Sequence, residues 1–229
     1  MLRYIGDFIS GNMSFVELMV YLGSMVFVVF CAAPLHEFAH ALAAVKLGDS
    51  TPRLQGRLTI NPKAHIDPIG ALMIFLCGFG YAKPVSVYMR NFKNPKAGMA
   101  VVALAGPVSN LLQALICLLL CNFIIFVNFA GTMVLSYFAI FFFFAASINV
   151  NLAVFNLLPV PPLDGSRIAT VLIPDKYYYK IMQYERYIMM GLFLLLFTGV
   201  LSKPLSFVSG AVFNLLDYIT ALPFNLIFG

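Results

Sequence analysis

Residues 97–163 read AGMAVVALAGPVSNLLQALICLLLCNFIIFVNFAGTMVLSYFAIFFFFAASINVNLAVFNLLPVPPL, 67 consecutive positions without one charged side chain. A spanning helix takes about 20 residues, so this stretch holds two crossings joined by a turn, expected near Asn128–Thr132. A second uncharged stretch, Leu18–Leu35, is long enough to begin another spanning helix. Tyr187–Ser202 is shorter and spans only if its helix starts among the residues just before it. Composition agrees: of 229 residues, 62% are hydrophobic and 10% charged, where a soluble domain carries about 25% charged residues. A soluble globule, a disordered chain, a collagen and a secreted disulfide scaffold are all excluded. Cys31, Cys77, Cys117 and Cys121 lie in apolar stretches without CxxC spacing and read as small membrane-buried side chains.

The net charge of +5 comes from two clusters. Lys46, Arg53, Arg57, Lys63, Lys83, Arg90, Lys93 and Lys96 precede the long uncharged stretch; Arg167, Lys176, Lys180 and Arg186 follow it. The positive-inside rule places both clusters in the cytoplasm, where anionic headgroups account for them and no nucleic-acid partner is needed. Pro68–Gly80 (PIGALMIFLCGFG) is apolar but only 13 residues long, with basic residues on both sides. At that length it is expected to be re-entrant or interfacial. The first helix then runs inward, Ala97–Val127 outward, Thr132–Pro159 inward, and a helix ending near Leu201 outward. Asp217 interrupts the apolar stretch after Lys203, which reads as a last crossing. The N-terminal stretch has only Arg3 as a basic flank, against Asp7 and Glu17, so it reads as a retained helix and not as a signal peptide. The expectation is an all-α polytopic membrane protein of about five to six segments, with a short re-entrant segment and a small strand-like loop region. It forms one domain over 1–229, with a core at about 18–173 and C-terminal helices at about 181–228.

The chemistry sits in His36-Glu37-Phe38-Ala39-His40. Residues four apart lie one above the other on a helix, so His36 and His40 can offer two imidazoles to one zinc ion. Glu37 is then placed to reach a water at the metal as general base. Buried polar residues bonded to neighbouring helices are the bland alternative, but two histidines and a glutamate on an apolar helix are costly in lipid. A catalytic zinc usually takes three protein ligands. Asp164, the first charge after the long stretch, lies in Asn156-Leu157-Leu158-Pro159-Val160-Pro161-Pro162-Leu163-Asp164-Gly165. The three prolines should open the backbone there. Asp164 can serve as the third ligand or as an N-cap for the residues that follow.

HEFAH, Ala105-Gly106-Pro107-Val108-Ser109-Asn110 and NLLPVPPLDG, in this order, resemble the site-2 protease family of intramembrane zinc metalloproteases. The stretch Arg57–Gly70 and Lys83-Pro84-Val85 are similar to its small prokaryotic members. The resemblance runs from about Val28 to Arg167. It implies His36, His40 and Asp164 as ligands of one zinc and Glu37 as catalytic acid/base. Asn156 is suggested as the donor that stabilises the oxyanion, with a helix-opening amide bonded to free carbonyls as the alternative. It further implies transmembrane-helix protein substrates cleaved within a prokaryotic cell membrane, in regulated intramembrane proteolysis.

Other residues carry less. His65 is a weak zinc candidate. Arg53–His65 reads as a loop or short strand pair, and Gly78–Val87 as an edge strand able to pair with an unwound substrate, although connector structure is favoured. Phe141–Phe144 read as lipid-facing or packing residues, and Tyr177–Tyr179 as a membrane-boundary group. Two competing functions are a metal transporter, which needs ligands along a path, and a catalytically silent scaffold, which the intact Glu37 disfavours.

Overall fold

The computed structural model describes residues 2–77, 82–128, 131–174, 176, 180–181 and 183–228. They form an all-helical polytopic membrane fold, as the composition demands. Four helices are long and apolar enough to cross a bilayer: Phe15–Lys46, Pro95–Val127, Met133–Asn156 and Ser202–Leu226. The order is α1 (Leu2–Ile9), α2 (Phe15–Phe27), a π turn (Val28–Ala32), α3 (Ala33–Lys46), α4 (Thr51–Leu54), α5 (Pro62–His65), α6 (Pro68–Cys77), α7 (Pro95–Val127), α8 (Met133–Asn156), α9 (Asp164–Ile168), α10 (Glu185–Phe197) and α11 (Ser202–Phe228).

Local signals set these boundaries. Ser14 and Glu17 form a reciprocal capping box at the start of α2, satisfying two free N-terminal N–H groups. Asn94 caps α7 through Ala97 N–H, and Pro95 fills the first turn where no N–H is needed. The expected turn near Asn128–Thr132 is present: the Asn128 carboxamide accepts from Thr132 N–H at 2.8 Å.

α7 and α8 pack most extensively against each other, and α3 packs on α7. Their shared core is built from Ala114, Cys117, Leu118, Ala145, Ala146, Val150 and Val154. Small side chains let helix backbones approach closely where lipid offers no hydrophobic drive. Cys31, Cys117 and Cys121 are free thiols.

One expectation is corrected. Arg53–His65 contains helical turns and no strand, because Pro52 opens α4 and the Asn61 side chain caps α5 ahead of Pro62. Residues 82–88 form connector structure, the favoured reading, and pair with no strand among the described residues; Gly78–Tyr81 lie outside them, as do Tyr177–Tyr179. Over Tyr187–Ser202 the described helix is α10, whose 13 residues reach about 20 Å; the residues just before it, where a longer crossing would begin, lie partly outside the described ones. α10 ends before Gly199, whose φ of 73° is the left-handed conformation that terminates helices. α6, at ten residues, is shorter still, about 15 Å.

Candidate metal centre

The π turn immediately precedes the HEFAH helix. A π turn widens the helix and shifts its hydrogen-bond register, and Pro34 removes a further donor from the next turn. Side chains of α7 reach the backbone of this region: Gln113 Nε2 donates to Ala32 O at 3.4 Å and to Ser109 Oγ at 3.1 Å, and Ser109 Oγ donates to Leu35 O at 3.4 Å. The face carrying His36, Glu37 and His40 is thereby clamped against α7, and all three are buried.

His36 Nε2 and His40 Nε2 lie 3.0 Å apart, and Asp164 Oδ2 lies 3.4 Å and 3.3 Å from them. These three are the group among the described residues that could hold a metal ion. A tetrahedral zinc with ligands at about 2.0–2.1 Å requires donor atoms about 3.3 Å apart, so the triangle fits. The chemistry of the donor set agrees. His40 Nδ1 meets Val102 O at 2.7 Å, so the ring donates there and its Nε2 keeps a free lone pair. Lone pairs and a carboxylate oxygen facing one another in a buried site repel unless a cation lies among them. His36 Nδ1 is buried without a partner among the described residues.

Asp164 reaches this triangle because the chain after α8 is not helical. Residues 157–163 form turns, with a cis peptide between Pro161 and Pro162, and α9 begins at Asp164 itself with Leu163 as its cap. The N-cap alternative for Asp164 therefore does not hold. Gly165 packs so closely that a Cβ would overlap the Leu157 and Leu158 carbonyl oxygens. Gly106 does the same on the opposite side: a Cβ there would lie 2.5 Å from His36 Cε1 and from His40 Cε1, and closer still to His40 Nε2. The helix α7 backbone is thus one wall of the site. In the sequence, Gly106 stands out only as part of a motif.

Glu37 is not a corner of the triangle. Its Oε2 accepts the Val85 N–H at 3.3 Å. Asn156 is the last residue of α8, half-buried, and its carboxamide makes no hydrogen bond among the described residues; the alternative of an amide bonded to free carbonyls is not realised. His65 is fully buried, with Nε2 on Thr59 O at 2.7 Å, and supports the loop apart from the triangle. Asp49, unnoticed in the sequence, is also fully buried. Burial acts to raise its pKa, but hydrogen bonds from Thr51, Tyr88 and Asn91 outweigh this and hold the carboxyl below its ordinary value.

Comparison with known proteins gives the same direction. The sequence pattern of peptidase family M50 matches residues 123–198, which include Asp164. YwhC of Bacillus subtilis, named as a zinc metalloprotease, is 42% identical over 175 residues, covering 75% of this chain and 77% of that one. Rip2 of Mycobacterium tuberculosis, named likewise, is 33% identical over 161 residues, covering 66% of this chain and 58% of its own length. MJ0611 of Methanocaldococcus jannaschii is 32% identical over 101 residues, 44% of this chain and 48% of that one. No solved structure matches. With a donor triangle fitted to zinc, four helices fit to span a membrane and a relative alike over three quarters of its length, the chain belongs to the site-2 proteases of peptidase family M50, as an integral-membrane zinc metalloprotease.

Proposed function

We propose that the protein is an intramembrane endopeptidase that hydrolyses peptide bonds in the transmembrane segments of membrane-protein substrates, in regulated intramembrane proteolysis. The observation that carries this reading is the position of the donor triangle. His36, His40 and Asp164 converge, with Glu37 beside them, at a helix that belongs to an apolar 32-residue span. A soluble peptide has little access to such a place. A transmembrane segment passing alongside the helices has it.

One zinc per chain is held by His36, His40 and Asp164. Bound there, zinc supplies a Lewis acid that polarises the scissile carbonyl and acidifies the attacking water. Glu37 takes the proton from that water and passes it to the leaving amine. The Asn156 carboxamide, free of other partners among the described residues, donates to the carbonyl oxygen as negative charge builds on it. A transporter needs a series of ligand groups along a path, whereas the described residues gather theirs at one point.

The test is cleavage of a reconstituted single-span substrate by the purified protein in vesicles, with zinc counted in parallel. Asp164→Asn is expected to lower zinc content well below one per chain and to lose activity in proportion. Full zinc content in that variant would remove Asp164 from the ligand set.

The basic loops face the cytoplasm of a prokaryotic cell, and α6 enters and leaves the bilayer on that side. Support comes from hydrogen bonds that join the two loops: Lys83 N–H to His65 O at 2.8 Å and Tyr88 N–H to Asp49 Oδ2 at 2.8 Å. Single cysteines placed at Arg53 and Arg90 in a cysteine-free background are expected to react with an impermeant thiol reagent only from the cytoplasmic side. Labelling from opposite sides would refute this topology.

A further inference from the structure

Between α6 and α7 the chain runs without helix or strand over residues 82–88, and its backbone is fixed at several points. At one end, Lys83 N–H donates to His65 O at 2.8 Å. At the other, Tyr88 N–H donates to Asp49 Oδ2 at 2.8 Å, and Asn91 Nδ2 to Asp49 Oδ1 at 2.7 Å. Thr51 completes the Asp49 carboxylate with its N–H at 3.1 Å and its hydroxyl at 2.6 Å, both on Oδ1. Just beyond, Phe92 is buried against Gly98, Met99 and Val102 of α7 and Ala44 of α3. In the middle of this segment, Val85 N–H donates to Glu37 Oε2.

From this arrangement we infer that residues 82–88 are a strap that orients Glu37, and that Asp49 is the positioning residue that holds the strap. A free carboxylate on a helix samples several rotamers, and proton transfer needs one of them within reach of the water. Anchoring Oε2 to a backbone N–H fixes the carboxylate plane and leaves Oε1, which has no hydrogen bond of its own among the described residues, for the proton. The anchor is a backbone group, so its own placement depends on what ties the strap down. Asp49 does this from the loop that follows α3, the helix that carries Glu37, so base and anchor share one frame.

The inference rests on Glu37 being the proton-transfer group, and the experiment separates the two. Glu37→Gln in the intact, zinc-loaded protein tests that reading alone. Two other variants test the strap. Val85→Pro removes the one N–H that reaches Glu37 in a segment that is neither helix nor strand, where no ladder or helical bond is lost. Asp49→Asn can keep Oδ1 toward Thr51 and Asn91 but turns an amide donor on the Tyr88 N–H. Val85→Pro and Asp49→Asn are each expected to lower kcat by about tenfold, the order set by one hydrogen bond to a charged group. KM and zinc content should stay at wild-type values, and amide exchange over 85–88 should speed up in Asp49→Asn. An unchanged or raised kcat in both variants overturns the inference, as does a fall accompanied by equal loss of zinc. If Val85→Pro does not fold, Asp49→Asn decides alone.

Discussion

Glu37→Gln is expected to abolish proteolysis and leave zinc in place. Gln has the size of Glu, and its carbonyl oxygen can still accept the Val85 N–H that now meets Glu37 Oε2 at 3.3 Å, so neither the helix nor the strap is asked to move. What Gln lacks is the ability to take a proton at neutral pH. General acid–base catalysis contributes about 10²–10⁴-fold, and the variant should lose activity on that scale. His36 and His40, with Asp164, form the donor triangle without Glu37, so zinc content should stay near one per chain and a trapped substrate should copurify. The contrast with His36→Ala is decisive, since that variant removes a corner of the triangle and should lose zinc and activity together. Equal zinc loss in both variants would make Glu37 a ligand and end the mechanism proposed here.

The sequence is most informative where one residue type dominates or a spacing is short. A 67-residue stretch without charge dictates two crossings, and α7 and α8 occupy it. Two histidines four apart need only a helix to face the same way, and their Nε2 atoms do meet. Asp164 is harder, since it lies 124 residues beyond His40; the prolines before it say that the chain breaks, but not where the break points. The missing third ligand points to it, the resemblance implies the same, and the geometry brings it to the two histidines.

What stayed hidden depends on contacts between distant segments. Asp49 reads as an ordinary loop charge, and only the fold brings Tyr88 and Asn91 onto its two oxygens. The π turn at Val28–Ala32 has no compositional mark apart from Pro34 just beyond it. Two signals overlap in one place: apolarity runs over Tyr187–Ser202, while Gly199 marks the end of α10. Hydropathy measures whether a segment can enter lipid. It does not measure where a helix stops.

Gly106→Ala should disable the metal site although it adds a single methyl. In an open helix the change is favourable, because Ala outranks Gly by about 1 kcal/mol in helix propensity. At Gly210 of α11 a Cβ would meet nothing within 4 Å, so Gly210→Ala should be neutral or mildly stabilising. At Gly106 the same methyl meets both imidazoles, 2.5 Å from His36 Cε1 and His40 Cε1. The rings have little room to yield: His40 is fixed by its Nδ1 contact with Val102 O on the same helix as the new methyl, and both side chains are buried. α7 itself is held by its packing on α8, so the rings must turn away and the triangle of donors opens. Displacing groups that orient metal ligands costs about 10–100-fold in metal affinity, and a methyl pressed on the ligands themselves should cost at least that. The expected outcome is a protein that inserts and keeps its helical content, binds zinc well below one per chain, and cleaves no substrate. Helical content from circular dichroism and zinc counted by mass spectrometry check it together. Wild-type zinc content in Gly106→Ala would mean that α7 does not press on the histidines, and the wall of the site would have to be sought elsewhere.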